Sequence, residues 1–374
     1  MIADFCLPFL LLLTLAITAC NMSHPQRAKE TNHHNLTKRS ESVLAVRFQS
    51  VVANAGGVQI WIKQPTQSAS KQGAGTSMQV VATPAGYSEV MSAVRQEAGK
   101  DKLEMGASTA NAASGPRVVN LYVTQRGQRI FQVHLREVPR LLRAAIVIDD
   151  MGHDLEAAHK LLAIGYPLTF SVLPHLQYTR TTAEEIHRGG HEVMLHLPME
   201  PDPGSHASPG EGAILVGMKA ADVQRVVQND LDSVPYVAGV NNHMGSRATQ
   251  DARLMGDLMR VLRERELYFI DSRTTAATTA LDAARREGLP AFYRSVFLDD
   301  MESVPYTLGQ LQKFRHTVEQ EGVALAIGHP HATTIAALAQ FLPELDRADI
   351  ELVAPSQIVR LPELARLHPP ASPK

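Results

Sequence analysis

Asp149 and Asp150 directly follow the apolar run Ala144-Ala145-Ile146-Val147-Ile148. Further along, Pro174 and His175, His196 with Pro198 and Glu200, and Asn241-Asn242-His243 follow apolar segments of the same kind. So do Asp271-Ser272, Asp299-Asp300, and His329 with His331. Strand ends are commonly polar, but solvation alone supplies Ser, Asn, Gly and Lys as often as Asp and His. This series is dominated by groups that bind metals or move protons. Imidazole and carboxylate without thiolate form a zinc-type ligand set, and three protein ligands with an open position make such a site catalytic. An ion held that way polarises a carbonyl and lets its water ligand ionise near neutral pH. The only cysteines, Cys6 and Cys20, lie near the N-terminus, so a metal site in the body of the chain must use His and carboxylates.

The elements that would carry these residues alternate regularly from Leu141 onward. Strands are expected at Ala144–Ile148, Leu168–Leu173, Glu192–Leu197, Val237–Asn241, Leu267–Ile270, Ala291–Phe297, Val323–Ile327 and Glu351–Val353. Helices are expected between them, near Asp154–Ile164, Thr181–Arg188, Ala220–Ser233, Asp251–Glu266, Thr275–Gly288, Tyr306–Glu321 and Thr333–Leu345. Strand–helix units repeated this often predict an α/β fold, a distorted (β/α) barrel of seven or eight parallel strands over residues 141–360. An open doubly wound sheet is the alternative. Ligand chemistry in such folds sits at the C-terminal strand ends, where the residues above fall. Neighbouring strand residues face opposite ways, so Asp149 and Asp150 are expected to take different roles. No glycine-rich phosphate loop follows the first strand.

Residues 144–358 resemble the polysaccharide deacetylase family, in its divergent branch. The resemblance rests on Val147-Ile148-Asp149-Asp150-Met151-Gly152, Gly190-His191-Glu192-Val193-Met194-Leu195-His196, Val240-Asn241-Asn242-His243-Met244-Gly245-Ser246-Arg247, Phe269-Ile270-Asp271-Ser272-Arg273 and Ile327-Gly328-His329. It implies a metal-dependent hydrolase that removes acetyl groups from a glycan, with zinc as the expected ion. Asp149 would then be the general base, Asp150 and His196 metal ligands, Asp271 an orienting residue and His329 the general acid. The family's second metal His falls on Glu200, so either Glu200 or His243 would complete the metal site. His191, about 16 Å upstream of His196 along an extended strand, belongs at the other end of the barrel. The altered motifs leave a second reading, an inactive deacetylase-like protein that binds glycan or an envelope partner.

Ahead of this region, residues 42–138 are expected to form a small α+β domain. Its expected strands are Val43–Phe48, Val58–Ile62, Met78–Ala82, Val118–Val123 and Arg129–Leu135. A helix is expected at Tyr87–Gln96, and Gly- and Ser-rich runs, including Gly106–Gly115, should punctuate the domain. The apolar stretch Phe5–Ala19 is shorter than a bilayer span and suits a signal peptide over residues 1–20. Ile17-Thr18-Ala19-Cys20 resembles a bacterial lipoprotein box, which implies an exported protein anchored in the periplasm through lipidated Cys20. Residues 21–41 read as a flexible tether and residues 361–374 as a disordered tail. The formal net charge of −2 lacks the basic excess of a nucleic-acid binder. An acetylated envelope polysaccharide or peptidoglycan-like substrate is the partner that this address and the resemblance imply.

Overall fold

The computed structural model describes residues 43–55, 58–61, 76–110 and 117–361. The expected signal peptide with Cys20, the tether, and the tail beyond Leu361 lie outside the described residues. The first described element is a helix, α1, over residues 43–53, where a strand was expected. Its buried residues Ala45, Phe48 and Val52 fall at helical spacing, and Phe48 stacks on Phe131 with centroids 5.4 Å apart. The apparent alternation of Val43–Phe48 was half of a helical stripe. After it come β1 (Val58–Trp61), β2 (Thr76–Ala82), α2 (Pro84–Lys100), β3 (Glu104–Ala110), β4 (Val118–Gln125) and β5 (Gln128–Glu137). They form one sheet in the order β1-β2-β5-β4-β3, with β2 and β5 parallel and the other neighbours antiparallel. Of the run Gly106–Gly115 read as punctuation, residues 106–110 belong to the edge strand β3, paired along Glu104–Ala110 with β4, and the rest lies outside the described residues. This sheet has a hydrophobic core of its own, built on Phe48, Phe131 and Leu135.

A second sheet begins at β6 (Leu142–Met151). The chain then alternates α3 (Leu155–Leu162), β7 (Thr169–Val172), α4 (Thr179–Arg188), β8 (Glu192–Met199), α5 (Ala220–Ser233), β9 (Val237–Met244), α6 (Ala252–Glu264), β10 (Tyr268–Asp271) and α7 (Ala280–Arg286). It continues through β11 (Ala291–Tyr293), β12 (Val296–Phe297), α8 (Val304–Glu321), β13 (Val323–Gly328), α9 (Ala332–Arg347), β14 (Ile350–Leu352) and α10 (Pro355–Ile358). The pairing order is β11-β10-β9-β8-β7-β6-β13-β12, with β14 also on β6, and every pairing is parallel. The two end strands are consecutive in the chain, so the sheet curls until only Arg294 and Ser295 separate them. This is the distorted (β/α) barrel. The expected single strand Ala291–Phe297 is two pieces because the chain crosses the seam within it. Arg294 N–H donates to Asp271 O on one side, and Ser295 N–H to Leu325 O on the other, both within 2.9 Å.

β6 is the strand on which the rest is hung. Ala144 to Ile148 are fully buried on both faces, as a central parallel strand requires. Its first residues pair with β14, its middle with β13, and its last with β7. At the opposite, N-terminal end of the barrel, three arginines are held by polar contacts, and one of them, Arg136, joins the two sheets. Arg136 of β5 pairs with Asp349, Arg143 lies 3.5 Å from Glu351, and Arg140 donates to the carbonyls of Glu319 and Gln320.

In the middle of the barrel Gly239 of β9 is registered against Tyr268 of β10. A methyl group at Gly239 would sit 2.3 Å from the Tyr268 ring, whose hydroxyl donates to Glu192 at 2.7 Å. The ring is buried and has nowhere to move. Gly239→Ala should therefore cost roughly 1–3 kcal/mol of stability through overpacking. A urea unfolding midpoint equal to wild type would refute this.

Candidate metal centre and its proton relays

The site grows out of an irregularity in β6. The register against β7 shifts between Ile148 and Met151, and Asp150 takes a left-handed φ of +56°. A regular strand would send Asp149 and Asp150 to opposite faces. The bulge turns both toward one point: His196 Nε2 lies 3.7 Å from Asp149 Oδ2 and 3.2 Å from Asp150 Oδ1. Asp tolerates the left-handed region better than most residues. The helix that follows is capped by Asp154, whose side chain accepts from Glu156 N–H at 2.8 Å, so neither carboxylate is needed as a cap.

Asp150 Oδ1 also lies 3.0 Å from His243 Nδ1, so Asp150, His196 and His243 converge from β6, β8 and β9. That oxygen is buried, and among the described residues it lies against these two imidazole nitrogens without a well-aligned hydrogen bond. A buried carboxylate oxygen without a partner costs free energy unless a positive centre sits against it. Ligands about 2.0–2.1 Å from a tetrahedral ion lie about 3.3 Å apart, close to the spacing seen here. The donor set, its spacing and this oxygen all fit a divalent metal of the zinc type.

Asn241 fixes the protonation pattern around this point. Its Nδ2 donates to Asp149 Oδ1 at 2.8 Å and to Ser272 Oγ at 3.2 Å. Its Oδ1 therefore faces the other way, accepting from Ser171 Oγ at 2.5 Å and from His196 Nδ1 at 2.8 Å. With Nδ1 committed as a donor, neutral His196 presents the lone pair of Nε2 to the cleft. The same contacts shift the charges. Burial pushes Asp149 up, against the pull of His196, His329 and the Asn241 amide, and leaves it a stronger base than an ordinary carboxylate. Asp150 is held well below the carboxylate range, because the His196 and His243 imidazoles outweigh its burial. His196 is raised despite its burial by the Asp149 and Asp150 carboxylates. The cluster favours a positive charge at its centre.

His329, at the end of β13, closes the other side of the cleft, with Nε2 3.9 Å from Asp150 Oδ2. Its Nδ1 lies 3.0 Å from Asp299 Oδ1, so Nε2 is the atom turned to the cleft. Asp299 Oδ2 accepts from the His329 backbone N–H at 2.6 Å and from Thr334 Oγ1 at 2.7 Å, which holds the carboxylate rigidly. Burial works against charge on His329, but the bond to Asp299 and the nearby Asp149 push it up to about 9. It therefore carries a proton at neutral pH.

Two of the expected site residues are used elsewhere. Glu200 is not at the metal point: it pairs with Arg247, and its Oε2 accepts from Val216 N–H at 2.6 Å. It staples two loops, and His243 takes the third position. Asp271 orients neither Asp149 nor His329; it accepts from Arg273 N–H at 2.8 Å and from Thr278 Oγ1 at 2.9 Å, capping its own loop. Asp299 does the orienting. Asn241 and Asp299 stood on the expected rim without a role, and only their spatial partners reveal one. His191 bonds Leu168 O at 3.0 Å, far down β8 from His196. His331 and Asp300 flank the cleft without touching the triad, although His331, His329 and Asp299 form a second, looser cluster. The cleft has a volume of about 400 Å³ and is walled by Asp149, Asp150, His196, His243, His329 and the guanidinium-bearing Arg273 and Arg294.

Residues 146–359 match the profile of a family described as divergent polysaccharide deacetylase. The chain belongs to that family. The divergent deacetylase match takes in the triad, Asn241, Asp299 and His329, and leaves the N-terminal sheet outside. The chain is 34% identical to YibQ of Escherichia coli over 228 residues, 61% of this chain and 70% of YibQ. It is 35% identical to a Haemophilus influenzae protein over 218 residues, 58% of this chain and 77% of that protein. Among solved structures, ATU2773 of Agrobacterium tumefaciens superposes with a TM-score of 0.55 at 24% identity, covering 59% of this chain and 89% of that one. That likeness shows the same fold.

Two outcomes follow from this geometry. Asn241→Leu should weaken zinc binding by about 10–100-fold, because it frees the ring that presents Nε2. Glu200→Ala should leave that affinity within about two-fold. Competition against a chelator reads both, and the reverse order would reassign the third ligand. A second outcome concerns His175, which turns away from the cleft to bond Asp230 Oδ1 at 2.7 Å. Asp230 is fully buried, its Oδ2 has no hydrogen-bond partner among the described residues, and burial pushes it up to about 7. A folded-state pKa above the unfolded value means that the native state holds the extra proton between pH ~4 and ~7, so its contribution to stability falls as pH rises through that window. Asp230→Asn should therefore gain roughly 1–3 kcal/mol on wild type between pH 5 and pH 8. Urea unfolding at the two pH values checks this, and an unchanged difference would refute it.

Proposed function

We propose that the protein is a metal-dependent hydrolase that removes acetyl groups from a polysaccharide. The observation that carries this is Asp150 Oδ1, buried between two imidazole nitrogens without a well-aligned hydrogen bond, with a second carboxylate and a charged imidazole on either side. Asp150, His196 and His243 would hold the ion, zinc by the chemistry of the set. When bound, it supplies a Lewis acid for the acetyl carbonyl and a water that ionises near neutral pH. Asp149, raised by burial and anchored by Asn241, takes a proton from the attacking water. His329, charged and aimed by Asp299, gives a proton to the departing amine or alkoxide. The site thus pairs a raised carboxylate base with a raised imidazole acid on opposite sides of one cleft. The lipoprotein-like N-terminus supports an envelope or exported polysaccharide as the substrate.

The zinc-loaded protein should release acetate from an acetylated glycan. Asp150→Ala and His196→Ala should lose the metal along with the activity. Asp149→Asn should keep the metal and lose about 10²–10⁴-fold in rate. Elemental analysis beside an acetate assay separates these cases. A folded protein that takes up no zinc, or a loaded one that releases no acetate from any acetylated glycan, would overturn the proposal.

A further inference from the structure

Two guanidinium groups stand in the cleft wall beside the triad. Arg294, half-buried at the barrel seam, donates from Nε to Ser272 O at 2.6 Å and from Nη2 to Arg273 O at 2.8 Å. It also lies over the Phe297 ring at 4.9 Å. These contacts fix the plane of the group and leave Nη1 uncommitted. Arg273, from the loop after β10, lies over the Tyr293 ring at 4.5 Å, and its guanidinium has no hydrogen-bond acceptor among the described residues. Neither arginine forms an ion pair with a carboxylate among the described residues. By contrast, Arg247, on the loop after β9, is tied to Glu200.

Charge balance sharpens the contrast. The two carboxylates Asp149 and Asp150 match the two charges of a divalent ion. Asp300, the remaining carboxylate in the cleft wall, is exposed, accepts from the Tyr306 hydroxyl at 3.5 Å and acts electrostatically on Arg294. With Asp299 bonded to His329, Arg273 and Arg294 are the cationic groups of the cleft wall that no carboxylate meets within 4 Å among the described residues. Arg294 is partly buried and oriented, and a bound anion would offset the cost of its desolvation, whereas Arg273 is exposed and free to turn toward the same anion. Rigid forks stacked on aromatic rings suit a planar carboxylate in particular.

We propose that Arg273 and Arg294 select an acetylated glycan bearing a carboxylate next to the acetyl group to be removed. This rests on the hydrolase reading for its turnover but not for its binding. The test compares two ligands differing only in charge: a disaccharide of N-acetylglucosamine and N-acetylmuramic acid with its carboxylate free, and the same disaccharide as its methyl ester. Calorimetric titration of the zinc-loaded full chain gives affinities, and acetate release gives rates. The free acid should bind at least about five-fold more tightly than the ester, with the ratio shrinking in 0.5 M salt. Arg294→Gln and Arg273→Gln should each pull the ratio toward one, while Arg225→Gln, on the exposed face of α5, should leave it unchanged. Arg273 makes no backbone bond through its side chain, so its variant remains a test even if Arg294→Gln unsettles the loop. A preference for the free acid that depends on the arginines, without acetate release, would support this inference and sink the hydrolase. Equal binding, no binding of either ligand, or a preference surviving in both variants would overturn it whether or not acetate appears.

Discussion

The carboxamide of Asn241 determines what the rest of the site can do. An amide has one donor end and one acceptor end, and here both ends are spoken for twice. The donor end meets Asp149, and the acceptor end therefore meets His196. Two groups with different tasks are thus set by a single side chain. A ring flip at His196 would break the bond to Asn241, and a flip of the amide would point a donor at a donor. The geometry has one self-consistent state. The barrel exists, in this sense, to set β6, β7, β8 and β9 in the register that lets Asn241 reach both partners.

The bulge in β6 is the second constraint. Adjacent strand residues diverge, so two neighbouring carboxylates on a regular strand cannot share a site. The left-handed turn at Asp150 overcomes this and brings two acidic groups within reach of one imidazole. Bulges gather near active sites because they re-aim a side chain without disturbing the sheet elsewhere. The residues on either side of this one are ordinary: fully buried Ile146 to Ile148 before it and a capped helix after.

Much of the barrel was legible in the sequence because apolar runs and amphipathic stretches alternate cleanly over that region. Helix α5 matches its expected span, and β6, β8 and β13 lie within a few residues of theirs. What escaped was whatever depends on a partner. The break between β11 and β12 depends on which strands flank them, and Val43–Phe48 is too short a window to separate the two periods. Glu200 and Asp271 have the right chemistry at the right strand ends, but loop contacts claim both. Asn241 and Asp299 work through hydrogen bonds to residues distant in the chain, and no local pattern marks them. Asp149, Asp150, His196, His243 and His329 stood out because strand position and residue type coincided.

The pairing of β6 carries one more implication. Leu142 is registered with Ile350, and Ala144 with Ala324, so the strand bearing both acidic groups is flanked by strands about 180 to 210 residues further along the chain. Contacts of such long sequence separation form slowly, after the intervening loops have closed. The three metal-facing side chains cannot be locked in place until nearly the whole barrel has been synthesised and gathered. Loading of the ion is then a final act of maturation, not a nucleus around which the chain folds. A nascent chain would carry its histidines and aspartates as separate weak ligands, unable to capture metal before the fold is complete.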